Sequence, residues 1–152
     1  MKNFLTTLLF VSIVCLSPYS YAKGGWEFFS YDEYCFIQSA PIKTEIPEGK
    51  SRGDNGIIVY KMHKSSDIIV QISPGFDYKS ADSVEVKIDN GEYEFYTDTD
   101  VAWSRDDKKT IFAMKKGLEL ISIGISSKGT KVVDTFSLKG FTSAISKLTN
   151  DC

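Results

Sequence analysis

Val84-Glu85-Val86-Lys87-Ile88-Asp89-Asn90-Gly91-Glu92-Tyr93-Glu94-Phe95 is the stretch that decides the fold class. Val84, Val86 and Ile88 alternate with Glu85 and Lys87, and Tyr93 and Phe95 resume the alternation after Asn90-Gly91. Successive residues of a strand point to opposite faces, so this pattern is a β-hairpin with one buried face, and Asn-Gly is a strong short-range turn signal. A two-residue turn at Asn90-Gly91 sets Ile88 opposite Tyr93, Val86 opposite Phe95 and Lys87 opposite Glu94. Apolar residues then meet on one side and opposite charges on the other.

The same reasoning extends in both directions. Trp26 to Ser39, rich in aromatic and β-branched residues, reads as a pair of opening strands. Pro41 to Gly56 reads as a long polar loop, and Ile57–Met62 with Ile68–Ile72 as a central antiparallel hairpin ended by Pro74-Gly75. Downstream, Leu118–Ile125 and Lys131–Leu138 form a second hairpin. With Lys128-Gly129 as its turn, Ile121, Ile123, Ile125, Val132 and Phe136 share one face, and Asp134 joins them unless a bulge turns it outward. Ser104–Gly117 places acids first and Lys115-Lys116-Gly117 last, as a short helix does. Leu138, Phe141, Ala144, Ile145 and Leu148 fall at helical spacing, with Ser137 available as a cap. The expected architecture is mainly β: an antiparallel β-sandwich or partly closed barrel of about eight strands with two short helices, the last one C-terminal and amphipathic.

Composition fits one such domain. The chain has 152 residues, 42% hydrophobic and 25% charged. Met1-Lys2-Asn3, the uncharged run Phe4–Leu16 and the small residues Ser20 and Ala22 form an export signal cut after Ala22, so residues 1–22 are a signal peptide and 23–152 a single domain. The run is too short before Pro18 to anchor a membrane helix, which needs about 20 apolar residues. No integral membrane segment is expected after cleavage, and a periplasmic or secreted location follows. The whole chain carries 18 basic and 20 acidic side chains, and the leader holds Lys2 and no acid. A slightly acidic mature chain provides no field for nucleic acid. Cys35 and Cys152 remain after cleavage, and an even pair in an exported chain reads as a disulfide.

Catalytic constellations are sparse. His63 is the only histidine, and no Gly-x-Ser-x-Gly is present. One histidine and a cysteine pair committed to a disulfide leave no ligand set for zinc, so no metal or other cofactor is expected. Asp98 and Asp100 open a calcium-loop spacing, but Ala102 stands at the third ligand position. Asp134 becomes a candidate acid only if buried beside a second one. Trp26 and Trp103 read as core and rim packing. The candidate binding residues are therefore on loops: Arg52 and Asp54, within an Arg-Gly-Asp tripeptide, and Asp98, Asp100 and Arg105. Alanine at Arg52 and Asp54 is expected to spare stability while weakening partner capture.

The closing segment Asp134-Thr-Phe-Ser-Leu-Lys-Gly-Phe-Thr-Ser-Ala-Ile-Ser-Lys-Leu148 resembles the end of the bacterial invasion-associated locus B family. Trp26, Cys35, Pro41, the hairpin Ile88–Phe95, Ala102-Trp103 and Ala113–Gly117 extend the likeness over most of the mature chain. The resemblance implies a small exported β domain of the Gram-negative envelope, linked in name to host-cell entry, with no catalytic residues to carry over. The expected role is non-catalytic binding of an envelope or host protein, or of a polymer. Alternatives are an inhibitor or accessory factor of an envelope hydrolase such as a lysozyme-type enzyme and, more distantly, a hydrolase using a buried carboxylate.

Overall fold

The computed structural model describes residues 24–81 and 83–152, so the expected leader and its cleavage point lie outside the described residues. Eleven strands and two helices follow in the order β1 (Glu27–Ser30), β2 (Tyr34–Ser39), β3 (Lys43–Glu45), β4 (Gly56–Met62), β5 (Ile68–Ser73), β6 (Val84–Ile88), β7 (Gly91–Tyr93), β8 (Phe95–Asp98), β9 (Val101–Ser104), α1 (Asp107–Lys116), β10 (Glu119–Ile125), β11 (Lys131–Ser137) and α2 (Phe141–Asp151). They build an open sandwich, not a barrel. One sheet has six strands in the order β1-β2-β4-β5-β9-β8 and the other five in the order β3-β11-β10-β6-β7. The three additional strands are short pieces within stretches expected to be loop or single strand, such as β3 inside the Pro41–Gly56 segment.

The core lies between the sheets. Ile37, Ile57, Val59, Val70, Ile72 and Ala102 of the six-stranded sheet and Val86, Ile88, Leu120 and Phe136 of the five-stranded one are buried together with Phe141, Ile145 and Leu148 of α2. Burying each large aliphatic or aromatic side chain contributes about 1.5 to 3 kcal/mol. Helix α2 packs on β1, β2 and β4, and α1 packs on β5. Trp26 closes the edge of this core, its ring 4.8 Å from Phe141 and its indole N–H donating to the Ser137 carbonyl at 3.1 Å.

Both hairpin registers differ from the sequence expectation. In the first, Ile88 pairs with Gly91, Lys87 with Glu92 and Val86 with Tyr93, so the turn is Asp89-Asn90. Asp89 takes a positive φ of 50°, and its carboxylate accepts the backbone N–H groups of Leu118 and Glu119 at 3.0 to 3.2 Å. These non-local bonds outweigh the local preference for Asn-Gly. The shift is two residues, so the faces are conserved, but Phe95 leaves the ladder and begins β8 in the other sheet. Lys87 pairs with Glu85 at 2.6 Å rather than with Glu94.

In the second hairpin the loop is three residues, Ser127-Lys128-Gly129, closed by Ser126 N–H to Thr130 O at 2.9 Å. Gly129 supplies the left-handed residue, φ 79°, that three-residue hairpins require. One residue of slip exchanges the faces of β10. Leu120 and Ser122 therefore point inward, while Ile121, Ile123 and Ile125 lie on the outer side. Helix α1 forms as expected, with Asp106 capping Lys109 N–H at 3.0 Å. Helix α2 begins one turn later than expected. Gly140, φ 86°, stands at its N-cap, and Ser137 makes no cap.

The Cys35–Cys152 disulfide is formed, with Cα atoms 5.9 Å apart and a sequence separation of 117 residues. It ties the end of α2 to β2, next to the edge of the six-stranded sheet. Closing a loop of that length contributes about 4 to 5 kcal/mol in the chain-entropy treatment. The Cys35→Ala/Cys152→Ala protein should consequently unfold at a clearly lower urea concentration than the oxidised protein, and coincident urea curves would show that the tether adds nothing.

Candidate functional site

Arg52 and Asp134 are 82 residues apart in sequence and form one buried ion pair. The guanidinium binds both carboxylate oxygens, at 2.5 and 2.6 Å, and its side chain and that of Asp134 are 8% and 5% exposed. Thr44 of β3 donates to the same carboxylate at 2.7 Å, and Arg52 also donates to the Pro74 carbonyl at 2.9 Å. Register explains the placement. Asp134 lies on the inward face of β11 between Val132 and Phe136, and Thr44 is its neighbour on β3. No bulge turns Asp134 outward. Both of its oxygens are taken by a guanidinium and a hydroxyl, and the pair of acids that a hydrolase would need is not assembled here. Tyr78 is buried nearby, and burial first, then the Asp134 charge, push its phenol well above the usual range.

Arg52 thus fastens the long loop to the core. Asp54, two residues on, is exposed, and the intervening Gly53 donates its N–H to Gly75 O at 2.9 Å. The Arg-Gly-Asp tripeptide accordingly presents one of its two charges. Beside it runs a groove of about 890 Å³ lined by Pro41, Ile42, Asn55 and Ser73, reaching Gln38 and Ile58 on the sheet. The Asn55 side-chain oxygen is buried there with no hydrogen-bond partner among the described residues.

Those two sheet residues lead onto the outer face of the six-stranded sheet. Antiparallel pairing places Tyr34 beside Met62, Phe36 beside Tyr60, and Gln38 beside Ile58. Phe29 extends the Phe36 row, and Gln71, Trp103 and Tyr96 extend the Gln38 row to the far edge. Tyr31, Tyr34, Met62 and Tyr96 are 38 to 53% exposed. The rings stack on one another: Phe29 on Phe36 at 4.9 Å, Tyr31 on Tyr34 at 5.3 Å and on Phe36 at 5.9 Å. Trp103 meets Tyr60 edge-on at 6.3 Å. Burial, followed by the charges of Asp107 and Tyr96, raises the Tyr60 phenol above its ordinary value. Within these rows the centre of the face carries amides and rings but no formal charge.

At the far edge stand the remaining loop residues. Asp98 ends β8 and Asp100 lies in the tight turn between β8 and β9, both exposed, and Arg105 follows β9 with its guanidinium 5.1 Å from the centre of the Tyr96 ring. The strand pairing therefore puts Asp54 and the Asp98–Asp100 turn at the same end of the strands of this face and Arg105 at the opposite end of β9, while Arg52 is internal. Among the described residues, no helix is long and apolar enough to cross a membrane.

The family model described as Invasion associated locus B (IalB) protein matches residues 32–149. The chain belongs to this family. The solved structures include a similar one, the crystal structure of invasion associated protein B from Bartonella henselae, with a TM-score of 0.54 at 18% identity, covering 83% of this chain and 92% of that one. No curated protein matches the chain. At that identity the likeness shows that the IalB sandwich is shared.

Two features of this IalB domain escape the one-dimensional reading. The aromatic face is spread over β1, β2, β4, β8 and β9, and only strand order brings it together. Trp103 belongs to this outer face, whereas Trp26 packs against the core, so the two tryptophans have different roles. Burial of the ion pair also overturns the expectation that alanine at position 52 spares stability. Removing one partner of a buried pair costs about 3 to 5 kcal/mol because the other charge is left unpaired. Arg52→Ala should accordingly lower the urea midpoint sharply and Asp54→Ala should not, and Arg52→Met with Asp134→Leu should recover most of the loss. Equal curves for the two alanine variants would show that the ion pair does not hold the loop.

Proposed function

We propose that this IalB domain is exported through its leader, cut after Ala22, and acts in the periplasm or at the cell surface as a non-catalytic protein that captures a protein partner on the outer face of the six-stranded sheet. One observation carries the reading: that face is broad, aromatic and free of charge at its centre, and none of the described residues covers it. Interface cores are enriched in Tyr, Trp, Phe, Met and Arg and depleted in Lys, Asp and Glu, with polar residues at the rim. Phe36, Tyr60, Met62 and Trp103 form such a centre, and Asp54, Asp98, Asp100 and Arg105 such a rim.

Ring orientation favours a protein over a polysaccharide. Tyr31, Tyr34, Phe29 and Phe36 stack on one another, which occupies ring faces that a sugar chain would need free. The opposite outer face is a weaker candidate, because Ile121, Ile123 and Val133 are interspersed there with Glu85, Lys87, Lys131 and Glu45. An inhibitor that plugs a hydrolase cleft would need a projecting loop, and this surface is broad instead.

A photo-reactive side chain at Met62 or Tyr96, used in cells of the native host, should give the same discrete protein adduct, and one at Ile123 should not. Tyr34→Lys, a change at an exposed position, should weaken that capture by at least about tenfold. Equal adducts from Ile123, or labelling of polysaccharide in place of protein, would contradict the proposal.

A further inference from the structure

The single histidine of the chain lies against both sulfurs of the disulfide. His63 follows β4, and its backbone N–H donates to Glu33 O at 3.1 Å, continuing the pairing of β4 with the β1–β2 turn. Its Nε2 is 2.7 Å from the Tyr31 carbonyl. A carbonyl can only accept, so Nε2 carries a proton, and Nδ1 is the nitrogen whose lone pair is free to bind a metal in the neutral ring. That lone-pair nitrogen is 3.7 Å from Cys152 Sγ, and Nε2 is 3.8 Å from Cys35 Sγ. One ligand atom from each of the three residues lies within 4.8 Å of the other two.

These are the parts of a soft-metal site in its closed form. Tetrahedral zinc bonds thiolate sulfur at about 2.3 Å and imidazole nitrogen at about 2.0 Å, which spaces its ligand atoms roughly 3.6 to 3.8 Å apart. The Nδ1 to Cys152 Sγ distance already matches. Metal-bound histidines almost always donate their other ring N–H to a carbonyl or carboxylate, and Tyr31 O supplies that acceptor. The two sulfurs are too close for joint ligation because they are bonded. Cys35 is buried on β2 and fixed, whereas Cys152 lies outside the strands, at the C-cap of α2, and is half-buried, so it is the sulfur able to move away when the bond is broken.

We propose that reduction of the Cys35–Cys152 disulfide opens a Cys₂His site for Zn²⁺, with Cys35 and Cys152 as thiolates, His63 Nδ1 as third ligand and water in the fourth position. A dithiol donor passes two electrons and two protons to the disulfide, becoming a disulfide itself and leaving two thiols. Binding of Zn²⁺ then releases both thiol protons as the two Zn–S bonds form. The oxidised chain, having no thiolate to offer, does not bind. The disulfide and the metal are therefore mutually exclusive, and the metal replaces the bridge as the clasp between α2 and the sheet.

The test uses the purified protein, oxidised or reduced by a phosphine, with Co²⁺ as a coloured probe displaced by Zn²⁺. The reduced protein should bind one Co²⁺ with thiolate charge-transfer and tetrahedral d–d absorption, bleached by one equivalent of Zn²⁺, and Zn²⁺ should raise its melting temperature. The oxidised protein should show neither effect. His63→Ala, whose oxidised form keeps the bridge and the fold, should bind at least about tenfold more weakly once reduced. Circular dichroism identifies a reduced chain that has unfolded, and one that Zn²⁺ fails to refold counts against the site. Reduced protein that takes up no Co²⁺, or a His63→Ala protein with unchanged affinity and spectrum, would overturn the proposal.

Discussion

The six-stranded sheet has two faces and only one of them is covered. The second sheet lies over part of its inner side and α2 fills the remainder beneath β1, β2 and β4. Everything that gives the molecule cohesion is on that side: the aliphatic inner rows, the Phe136 and Phe141 rings, and the disulfide that holds α2 in place. Strand alternation then dictates that each inward Ile37, Val59 or Val70 is flanked by residues facing the opposite way, and those are Phe36, Tyr60 and their neighbours. A soluble domain normally fills such positions with charged side chains. Here they are Phe36, Gln38, Ile58, Tyr60, Ile69 and Gln71, aromatic, aliphatic or amide side chains without a charge.

Two long-range fastenings keep this arrangement rigid. The Arg52–Asp134 pair joins the loop beside the aromatic face to the centre of the second sheet, and Thr44 and Pro74 use the remaining hydrogen-bonding capacity. The Cys35–Cys152 bridge does the same for α2. A helix of 11 residues is too short to be stable alone, and its position under the sheet depends on packing and on this tether. Rigidity of the scaffold matters for recognition, because a surface already held in its bound shape loses little conformational entropy on docking.

Alternation and turn residues made the fold class legible. The opening strands and the central hairpin occur where alternation puts them, α1 where its terminal charges put it and α2 one turn after its expected start, and the pairing of Cys35 with Cys152 follows once residues 1–22, with Cys15, are read as a leader. Registers were less legible, for a physical reason in each case. The Asp89 carboxylate captures amides about 30 residues away, which no local pattern at Asn90-Gly91 contains. Gly129 can serve a two-residue or a three-residue loop, and one residue of difference exchanges Ile121 for Leu120 in the core. The partner of Asp134 was invisible because Arg52 reads as an ordinary loop charge until the sheets bring the two together. The aromatic face has the same origin: its rows run across strands, and sequence order scatters them.

The family's shared sandwich and this chain's uncovered rings together make partner capture on the outer sheet face the central claim. The chain contains its own reporters for it. Met62 is on that face and Met114 is fully buried, so methyl-labelled methionine provides one probe and one internal control. Adding native envelope extract to the labelled protein and recording its methyl spectrum tests the claim directly. The account predicts that the Met62 resonance shifts or broadens while Met114 stays in place. A Met62 signal untouched by extract that demonstrably binds the protein would contradict it.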